Sequence, residues 1–259
     1  MMAFIPYMDG AEPYFHAGGP VGCLVLHGFA ATPDEVRWLG QHLAARGHTV
    51  FAPRLPGHGM TPAALRRIRW EDWYAAALDG YRLLASICAR VCVVGHSMGG
   101  LLSLLLAGDC DVACAAALAA PIELHAARRA RWLRFVLAYT DHSDRSGFPA
   151  RLREEQARRG EPVRGRVRYD RWATQGVAEL YALSQVAHAR LPLVKAPLLL
   201  VYSRNDHVVP AGQMSIVADR VASQIVERHE LHKSGHILPQ DCEHEKVFQL
   251  VDDFIARYG

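Results

Sequence analysis

Ser97 is the residue whose surroundings most favour chemistry, because it lies at the centre of the segment Gly95 to Gly99 (Gly-His-Ser-Met-Gly). The apolar run Val91 to Val94 precedes this segment, and a second one, Leu101 to Ala107, follows it. We interpret the two runs as a buried strand and a helix that are joined by a sharp turn. Glycine has no side chain to collide where strand and helix approach closely, so the serine hydroxyl can project from the turn as a nucleophile.

A serine hydroxyl is a poor nucleophile at neutral pH, so it needs a base and an acidic group that orients the base. Asp206 follows an apolar, strand-like run, and His236 lies in a glycine-containing loop after the last predicted strand. The chain order Ser97, Asp206, His236 is one of the known orders of a serine, acid and histidine triad. Glu123, which follows another predicted strand, is the alternative acid.

Two backbone amides are expected to stabilise the negative charge that develops on a carbonyl oxygen under attack. The amide of Met98 lies at the start of the predicted helix, where no intrahelical acceptor is available. The amide of Phe29 lies in the turn after the first strong strand and is the expected second donor. Three further histidines are expected to have structural roles. We predict that His27 shapes the Phe29 loop, that His96 packs beside the sheet and that His58 supports a Pro/Gly turn.

Short apolar runs alternate with amphipathic stretches along most of the chain, which is typical of strands connected by helices in a mainly parallel sheet. The predicted strands cover 21–27, 49–52, 91–94, 112–120, 197–203 and 224–231. Predicted helices follow at 33–46, 71–89, 101–107, 211–221 and 243–257. Thr32 is expected to cap the first helix, with Pro33 at its first position, Glu35 at its third and Gly47 at its end.

The alternation is interrupted between residues 121 and 195, where arginine-rich and aromatic helical patterns surround Trp132, Phe135, Tyr139, Trp172 and Tyr181. We therefore predict a core formed by residues 1–120 and 196–259, with residues 121–195 inserted as a cap. The arginine-rich stretch from Arg128 to Arg171 favours a solvated helical surface, and an anion site or membrane-surface site is the alternative.

Composition excludes several classes of protein. A chain of 259 residues can bury a full-sized core without a second domain, and its 51% hydrophobic and 21% charged residues are typical of an ordered globular protein. A net charge of +3 is too small to indicate nucleic-acid binding. The first seven residues show no basic leader, and no apolar run reaches the roughly 20 residues of a membrane-spanning helix. We expect a cytoplasmic location without an integral membrane segment, and six reduced, buried cysteines.

Three segments resemble those of the α/β-hydrolase superfamily, and within it the small bacterial carboxylesterases and monoacylglycerol lipases. These segments are Leu24 to Gly40, Pro53 to Gly59 and Ser234 to Asp241. The resemblance extends over nearly the whole chain apart from the predicted cap. It implies the α/β-hydrolase fold, in which helices flank a mainly parallel central sheet and a small helical cap forms the acyl pocket.

The same resemblance implies hydrolysis of carboxylic esters through an acyl-enzyme intermediate, without a metal or organic cofactor. Ser97, Asp206 and His236 would be the triad, and Phe29 and Met98 the oxyanion-hole amides. The expected partner is a small-molecule ester or a monoacylglycerol, with no nucleic acid, and the protein is expected to be a monomer or a homodimer. Monoacylglycerol lipase activity and cleavage of thioesters, amides or carbon–carbon bonds are alternatives on this scaffold, and a noncatalytic ligand-binding protein is an alternative of a different class.

The aromatic and aliphatic residues of the predicted cap admit two interpretations. Trp132, Phe135 and Leu137 could line an acyl channel, but their helical spacing favours the interior of the cap.

Overall fold

The computed structural model describes residues 7–124, 127, 129–141 and 148–259. Its main sheet contains seven strands in the spatial order β1-β3-β2-β4-β5-β8-β9, and a second sheet pairs β6 with β7. The strands are β1 (Tyr14–His16), β2 (Val21–Leu26), β3 (Thr49–Ala52), β4 (Arg90–His96), β5 (Cys114–Leu118), β6 (Tyr139–Asp141), β7 (Arg171–Ala173), β8 (Leu198–Ser203) and β9 (Val226–Leu231). All neighbouring pairs in the main sheet are parallel except β1 with β3, so the predicted mainly parallel sheet is confirmed.

Helices connect most of these strands. They are α1 (Arg37–Ala45), α2 (Trp70–Ile87), α3 (Met98–Asp109), α4 (Ala130–Leu133), α5 (Phe148–Arg158), α6 (Thr174–Arg190), α7 (Gln213–Ala218) and α8 (His244–Tyr258). Among the described helices, none is long and apolar enough to cross a membrane.

The central strands contribute side chains to both faces of the sheet, because successive side chains of a strand point in opposite directions. In β2, Leu24 and Leu26 join one hydrophobic cluster with α2 and α3, whereas Cys23 and Val25 join a second cluster with α1 and α8. Helices therefore cover both sides of the sheet, as is usual for parallel strands.

The carboxyl edge of the parallel sheet brings distant parts of the chain together. Phe29 follows β2, Ser97 follows β4, Asp206 follows β8, and His236 follows β9. Loops at this edge of open α/β sheets usually carry the binding residues. The topology alone therefore places all four segments at one end of the molecule.

The start of α1 differs from the prediction. Residues Pro33–Val36 form a short 3-10 helix, and the α-helix begins only at Arg37. Thr32 makes no side-chain capping hydrogen bond; its hydroxyl instead donates to the carbonyl oxygen of Val167 at 2.9 Å. Thr32 therefore occupies the predicted N-cap position, with Pro33 first in the helical segment, but its side chain does not supply the expected capping bond.

The segment between β5 and β8 contains strands as well as helices. Tyr139 lies in β6 and Trp172 lies in β7, which pair antiparallel, so the helical prediction is wrong around these two residues. Trp132 and Phe135 are 74% and 72% exposed, and Leu137 is 42% exposed. The prediction that these three residues form the interior of a cap is therefore also wrong.

Residues 1–6, which bear on the expected lack of a leader, and Arg128 of the arginine-rich stretch lie outside the described residues. All six cysteines are free thiols, but Cys242 is exposed and Cys88 and Cys110 are half-buried. The prediction of six buried thiols is wrong for these three.

Candidate active site

Ser97 occupies a strained turn between β4 and α3. Its φ angle is +53°, a region that residues other than glycine rarely adopt. The turn is tightly packed: a Cβ on Gly95 would collide with the carbonyl oxygen of Gly99, and a Cβ on Gly99 would collide with that of Leu26. The amide of Ser97 donates to the carbonyl oxygen of Leu118 in β5 at 2.8 Å. Glycines at 95 and 99 thus let the turn sit directly against the sheet.

His236 lies between Ser97 and Asp206. Its Nε2 atom is 3.0 Å from Ser97 Oγ, and its Nδ1 atom is 2.7 Å from Asp206 Oδ2. The structure therefore brings together the three side chains that the sequence analysis selected. The Nδ1 atom of His236 faces Asp206 and not the alternative acid, Glu123, whose backbone amide donates to the Gln213 side chain.

The environment of Asp206 keeps its carboxylate ionised. Its Oδ1 atom accepts hydrogen bonds from the amides of Val208 at 2.7 Å and Val209 at 2.9 Å. Burial by itself would raise the pKa of Asp206, but the charge and hydrogen bond of His236 and these two amides hold the pKa below its usual range. An ionised Asp206 accepts a hydrogen bond from the Nδ1–H group of His236, which leaves Nε2 without a proton and free to accept the one from Ser97.

The amides of Phe29 and Met98 are available as hydrogen-bond donors. Met98 is the first residue of α3, and Phe29 lies in the loop after β2. Neither amide has a hydrogen-bond acceptor within the described ranges of the chain. Phe29 and Ser97 also line the same cavity. These positions are consistent with the predicted pair of oxyanion donors.

A family model described as "Alpha/beta hydrolase family" matches residues 23–250, which is most of the sequence. The chain belongs to the alpha/beta hydrolase family. This result confirms the fold class that the motifs predicted.

Individual relatives cover nearly all of this alpha/beta hydrolase. It is 30% identical to a thermostable monoacylglycerol lipase of Bacillus sp. (strain H-257), over 98% of both chains. It is 26% identical to a carboxylesterase of Bacillus subtilis (strain 168), over 95% of this chain and 96% of the relative. Among solved structures, one described under "LipS and LipT, two metagenome-derived lipolytic enzymes" superimposes with a TM-score of 0.87 at 28% identity, over 97% of this chain and 100% of that one.

Glu35 is a buried residue of this site that the sequence analysis treated only as part of a helix start. Its Oε1 atom accepts hydrogen bonds from the amide of Gly28 and from His96 Nδ1, both at 2.8 Å. Its Oε2 atom accepts one from Arg166 Nη2 at 2.9 Å. His96 is fully buried, and its Nε2 atom lies 2.8 Å from the carbonyl oxygen of His236. No local pattern marks Glu35, because its three partners, Gly28, His96 and Arg166, come from separate segments of the chain.

A cavity of about 740 Å³ lies over Ser97 and His236. Its lining includes the apolar side chains of Phe29, Leu124, Trp172, Val177 and Leu180 and the charged side chains of Glu35, Arg151, Arg166, Arg168 and Asp241. Trp132, Phe135 and Leu137 are absent from this lining, so neither interpretation of those residues holds.

The predicted solvated surface of the arginine-rich stretch holds for most of its described arginines, such as Arg158, which are exposed. It does not hold for Arg166 and Arg168, whose side chains are only 14% and 10% exposed and line the cavity. Arg151, which also lines the cavity, pairs with Asp241 at 2.8 Å. In the described part of the chain, no three His, Cys, Asp or Glu side chains are grouped so that they could hold a metal ion.

Proposed function

We propose that this alpha/beta hydrolase cleaves carboxylic esters, with Ser97 as nucleophile, His236 as general base and Asp206 as the group that orients His236. The observation that carries the proposal is the continuous hydrogen-bonded path from Ser97 Oγ through the His236 ring to Asp206, with distances of 3.0 and 2.7 Å. The carboxylesterase and lipase names of the relatives support the same reaction class.

The reaction has two halves. In the first, Ser97 Oγ attacks the ester carbonyl carbon while its proton passes to His236 Nε2, and the amides of Phe29 and Met98 stabilise the resulting oxyanion. The carbon–oxygen bond to the alcohol then breaks, and His236 gives its proton to the departing oxygen. In the second half, His236 takes a proton from water, the water oxygen attacks the acyl-enzyme, and the carboxylic acid is released as Ser97 regains its proton.

The cavity supports a substrate with two unlike parts. We propose that residues 121–195 act as the cap, since Leu124, Trp172, Val177 and Leu180 contribute apolar side chains to the cavity that Ser97 also lines. The same lining carries the guanidinium groups of several arginines, which are strong hydrogen-bond donors for a polar group. An ester that joins an apolar acyl chain to a small polar alcohol would find partners for both of its parts.

Monoacylglycerol hydrolysis is the second candidate. It is favoured by the mixture of apolar and charged side chains in the cavity lining, because a monoacylglycerol joins one acyl chain to an alcohol with two free hydroxyls. The match to a monoacylglycerol lipase over 98% of both chains supports it further. The match to a carboxylesterase is almost as extensive, so a substrate comparison has to decide between a general esterase and a glyceride-specific one.

The test is hydrolysis of a p-nitrophenyl ester series of increasing acyl length and of the matching monoacylglycerols. We expect Ser97→Ala to lower kcat by a factor on the order of 1000 or more. Ser215→Ala, on the exposed surface of α7, is the matched control and should keep full activity. Activity that survives Ser97→Ala, or no activity on any ester, would refute the proposal and favour thioesters, amides or a binding role.

A preference within the series identifies the alcohol. Faster hydrolysis of monoacylglycerols than of p-nitrophenyl or simple alkyl esters of equal acyl length would indicate a glyceride lipase. Equal rates would indicate a general carboxylesterase.

A further inference from the structure

We infer that Glu35 is a positioning residue for the proposed reaction, and that it holds His96 as an imidazolium ion beneath the nucleophile. The inference rests on the proposed function for its effect on rate, but its structural part can be tested without any substrate. Glu35 connects the loop before Phe29, the turn that carries Ser97 and, through His96, the loop that carries His236.

The hydrogen-bond partners of His96 determine its protonation. The Nε2 atom lies 2.8 Å from the carbonyl oxygen of His236, and a carbonyl oxygen can only accept a hydrogen bond. The Nδ1 atom lies 2.8 Å from Glu35 Oε1, which also accepts from the amide of Gly28. Both ring nitrogens therefore donate, and a histidine that donates from both nitrogens carries a positive charge.

Glu35 is ionised for related reasons. Burial would raise the pKa of its carboxyl group, but the charge and hydrogen bond of His96, the charge of Arg166 and the Gly28 amide outweigh burial and hold the pKa below its usual range. All three charged side chains are largely buried, so their charges depend on one another. Removing the carboxylate would leave two cations in a site of low polarity, which is strongly unfavourable.

Other ionisable groups around His96 do not replace this carboxylate. The ring of His236 is 5.1 Å from that of His96, and Asp206 is engaged by His236 on its far side. His27 is buried, and burial lowers its pKa to about 4. Asp241 is paired with Arg151 and accepts the amide of Gly235. Glu35 is the carboxylate in direct contact with His96 among the described residues.

The network touches all three parts of the proposed machinery through the backbone. Gly28 precedes Phe29, whose amide is a proposed oxyanion donor, and His96 precedes Ser97. The carbonyl oxygen that His96 binds belongs to His236 itself. Displacements of about 1 Å in such groups can cost on the order of 100-fold in rate, so the carboxylate should matter for turnover although it does not touch the reacting atoms.

Arg166 adds a link to the segment between β5 and β8. Its guanidinium group contacts Glu35 Oε2 at 2.9 Å and also lines the cavity. Arg166 and the Gly28 amide therefore bind the same Glu35 carboxylate, which links this segment to the loop that follows β2.

The first experiment counts the protons on the His96 ring by nitrogen-resolved NMR of the wild-type protein, with His96→Asn used to assign the signals. We expect two ring N–H groups on His96. A ring with one N–H group would overturn the inference, whatever the protein hydrolyses and however the variants fold.

The second experiment compares Glu35→Gln with Asp34→Asn. Asp34 is the neighbouring acidic residue and pairs with Arg37, so the control removes a nearby charge without touching Gly28 or His96. In Glu35→Gln we expect kcat to fall about 10-fold to 100-fold with KM changed less than about 3-fold, and the His96 ring to lose one N–H group. Asp34→Asn should keep wild-type kcat and both N–H groups.

A parallel pair tests the link to Arg166. Arg166→Gln should lower kcat in the same direction as Glu35→Gln, whereas Arg164→Gln, which removes a surface pair with Asp9, should not. If Glu35→Gln keeps wild-type kcat and a doubly protonated His96, the positioning role is refuted. Loss of the proposed function itself would instead appear as activity that survives Ser97→Ala.

Discussion

The orientation of His236 depends on one carboxylate, and two acidic residues, Asp206 and Glu123, follow parallel strands that end at the same edge of the sheet. In the structure, the carboxylate of Asp206 is 2.7 Å from His236 Nδ1.

The choice of acid leads to a prediction for Asp206→Asn. An amide in place of the carboxylate cannot hold the Nδ1 proton of His236, so the ring adopts the tautomer that cannot accept the Ser97 proton. We expect kcat to fall by a factor on the order of 1000 to 10,000 with KM nearly unchanged, measured with a p-nitrophenyl ester.

Glu123→Gln is the matched variant for this prediction. It neutralises the alternative acid without altering the Asp206 to His236 contact, so we expect less than about a 3-fold change in kcat. A larger loss in Glu123→Gln than in Asp206→Asn would show that the acid has been assigned to the wrong residue.

Glu35 and Arg166 illustrate what residue types and spacing could not predict. Glu35 lies three residues after Thr32, and acidic residues are common at that position of a helix start. The helix start alone therefore accounts for the residue type, and nothing in the local sequence indicates a further role. Its actual partners, Gly28, His96 and Arg166, lie 7, 61 and 131 residues away. A buried charge network is recognisable only once the fold has placed its members together.

At the scale of elements, the strands were predicted well and the segment between β5 and β8 was not. Buried strands such as β2 and β8 are continuous apolar runs, which a sequence shows directly. Strands β6 and β7 have three residues each and pair with one another, so no periodicity could reveal them. Thr32 is the N-cap residue as predicted, but its hydroxyl donates to the carbonyl oxygen of Val167 in this same poorly predicted segment, a contact that local sequence could not show.

Helix α5 is attached to the His236 loop by a charge pair that can be tested. Arg151 Nε and Nη2 donate to Asp241 at 3.0 and 2.8 Å, and the Asp241 side chain is fully buried. Asp241 also accepts the amides of Gly235 and Cys242. The pair therefore connects α5 to the residue directly before His236.

We predict that Arg151→Gln lowers the free energy of unfolding by about 2 kcal/mol, measured by urea denaturation. Removing one partner of a fully buried pair typically costs about 3 to 5 kcal/mol, and the expected loss here is smaller because the Arg151 side chain is 44% exposed. Arg153→Gln, on an exposed position of the same helix, should change stability by less than about 0.5 kcal/mol. Equal effects of the two substitutions would refute the structural role of the pair.

At the scale of the whole molecule, the arrangement of the sheet followed from the alternation of strands and helices, whereas burial outside the sheet did not. Trp132 and Phe135 are large apolar residues of the kind that usually lies in a core, yet they are 74% and 72% exposed. Hydrophobicity predicts burial only where a second element covers the residue, and the packing of short helix α4 against α6 leaves Trp132 largely exposed.

Two buried histidines give the molecule a dependence of stability on pH. His27 Nδ1 donates to the carbonyl oxygen of Gly28 at 2.8 Å, and its Nε2 accepts the amide of Leu55 at 3.1 Å, so the ring is neutral. Burial lowers the pKa of His27 to about 4 and that of His58 well below its usual value. Each ring binds a proton more tightly in the unfolded chain, where its pKa is about 6.5.

The stability that a neutral His27 contributes is therefore complete above about pH 6.5 and is lost as the pH falls toward the folded pKa of about 4. Between pH 7 and pH 5 we expect His27 to account for a loss of about 2 kcal/mol in the free energy of unfolding. Urea denaturation at both pH values should show that this difference is smaller by that amount in His27→Gln, and unchanged in His232→Gln, whose histidine is exposed. If His27→Gln keeps the full pH dependence of the wild type, the histidine is not held neutral by burial, and the low pH sensitivity must arise from other groups.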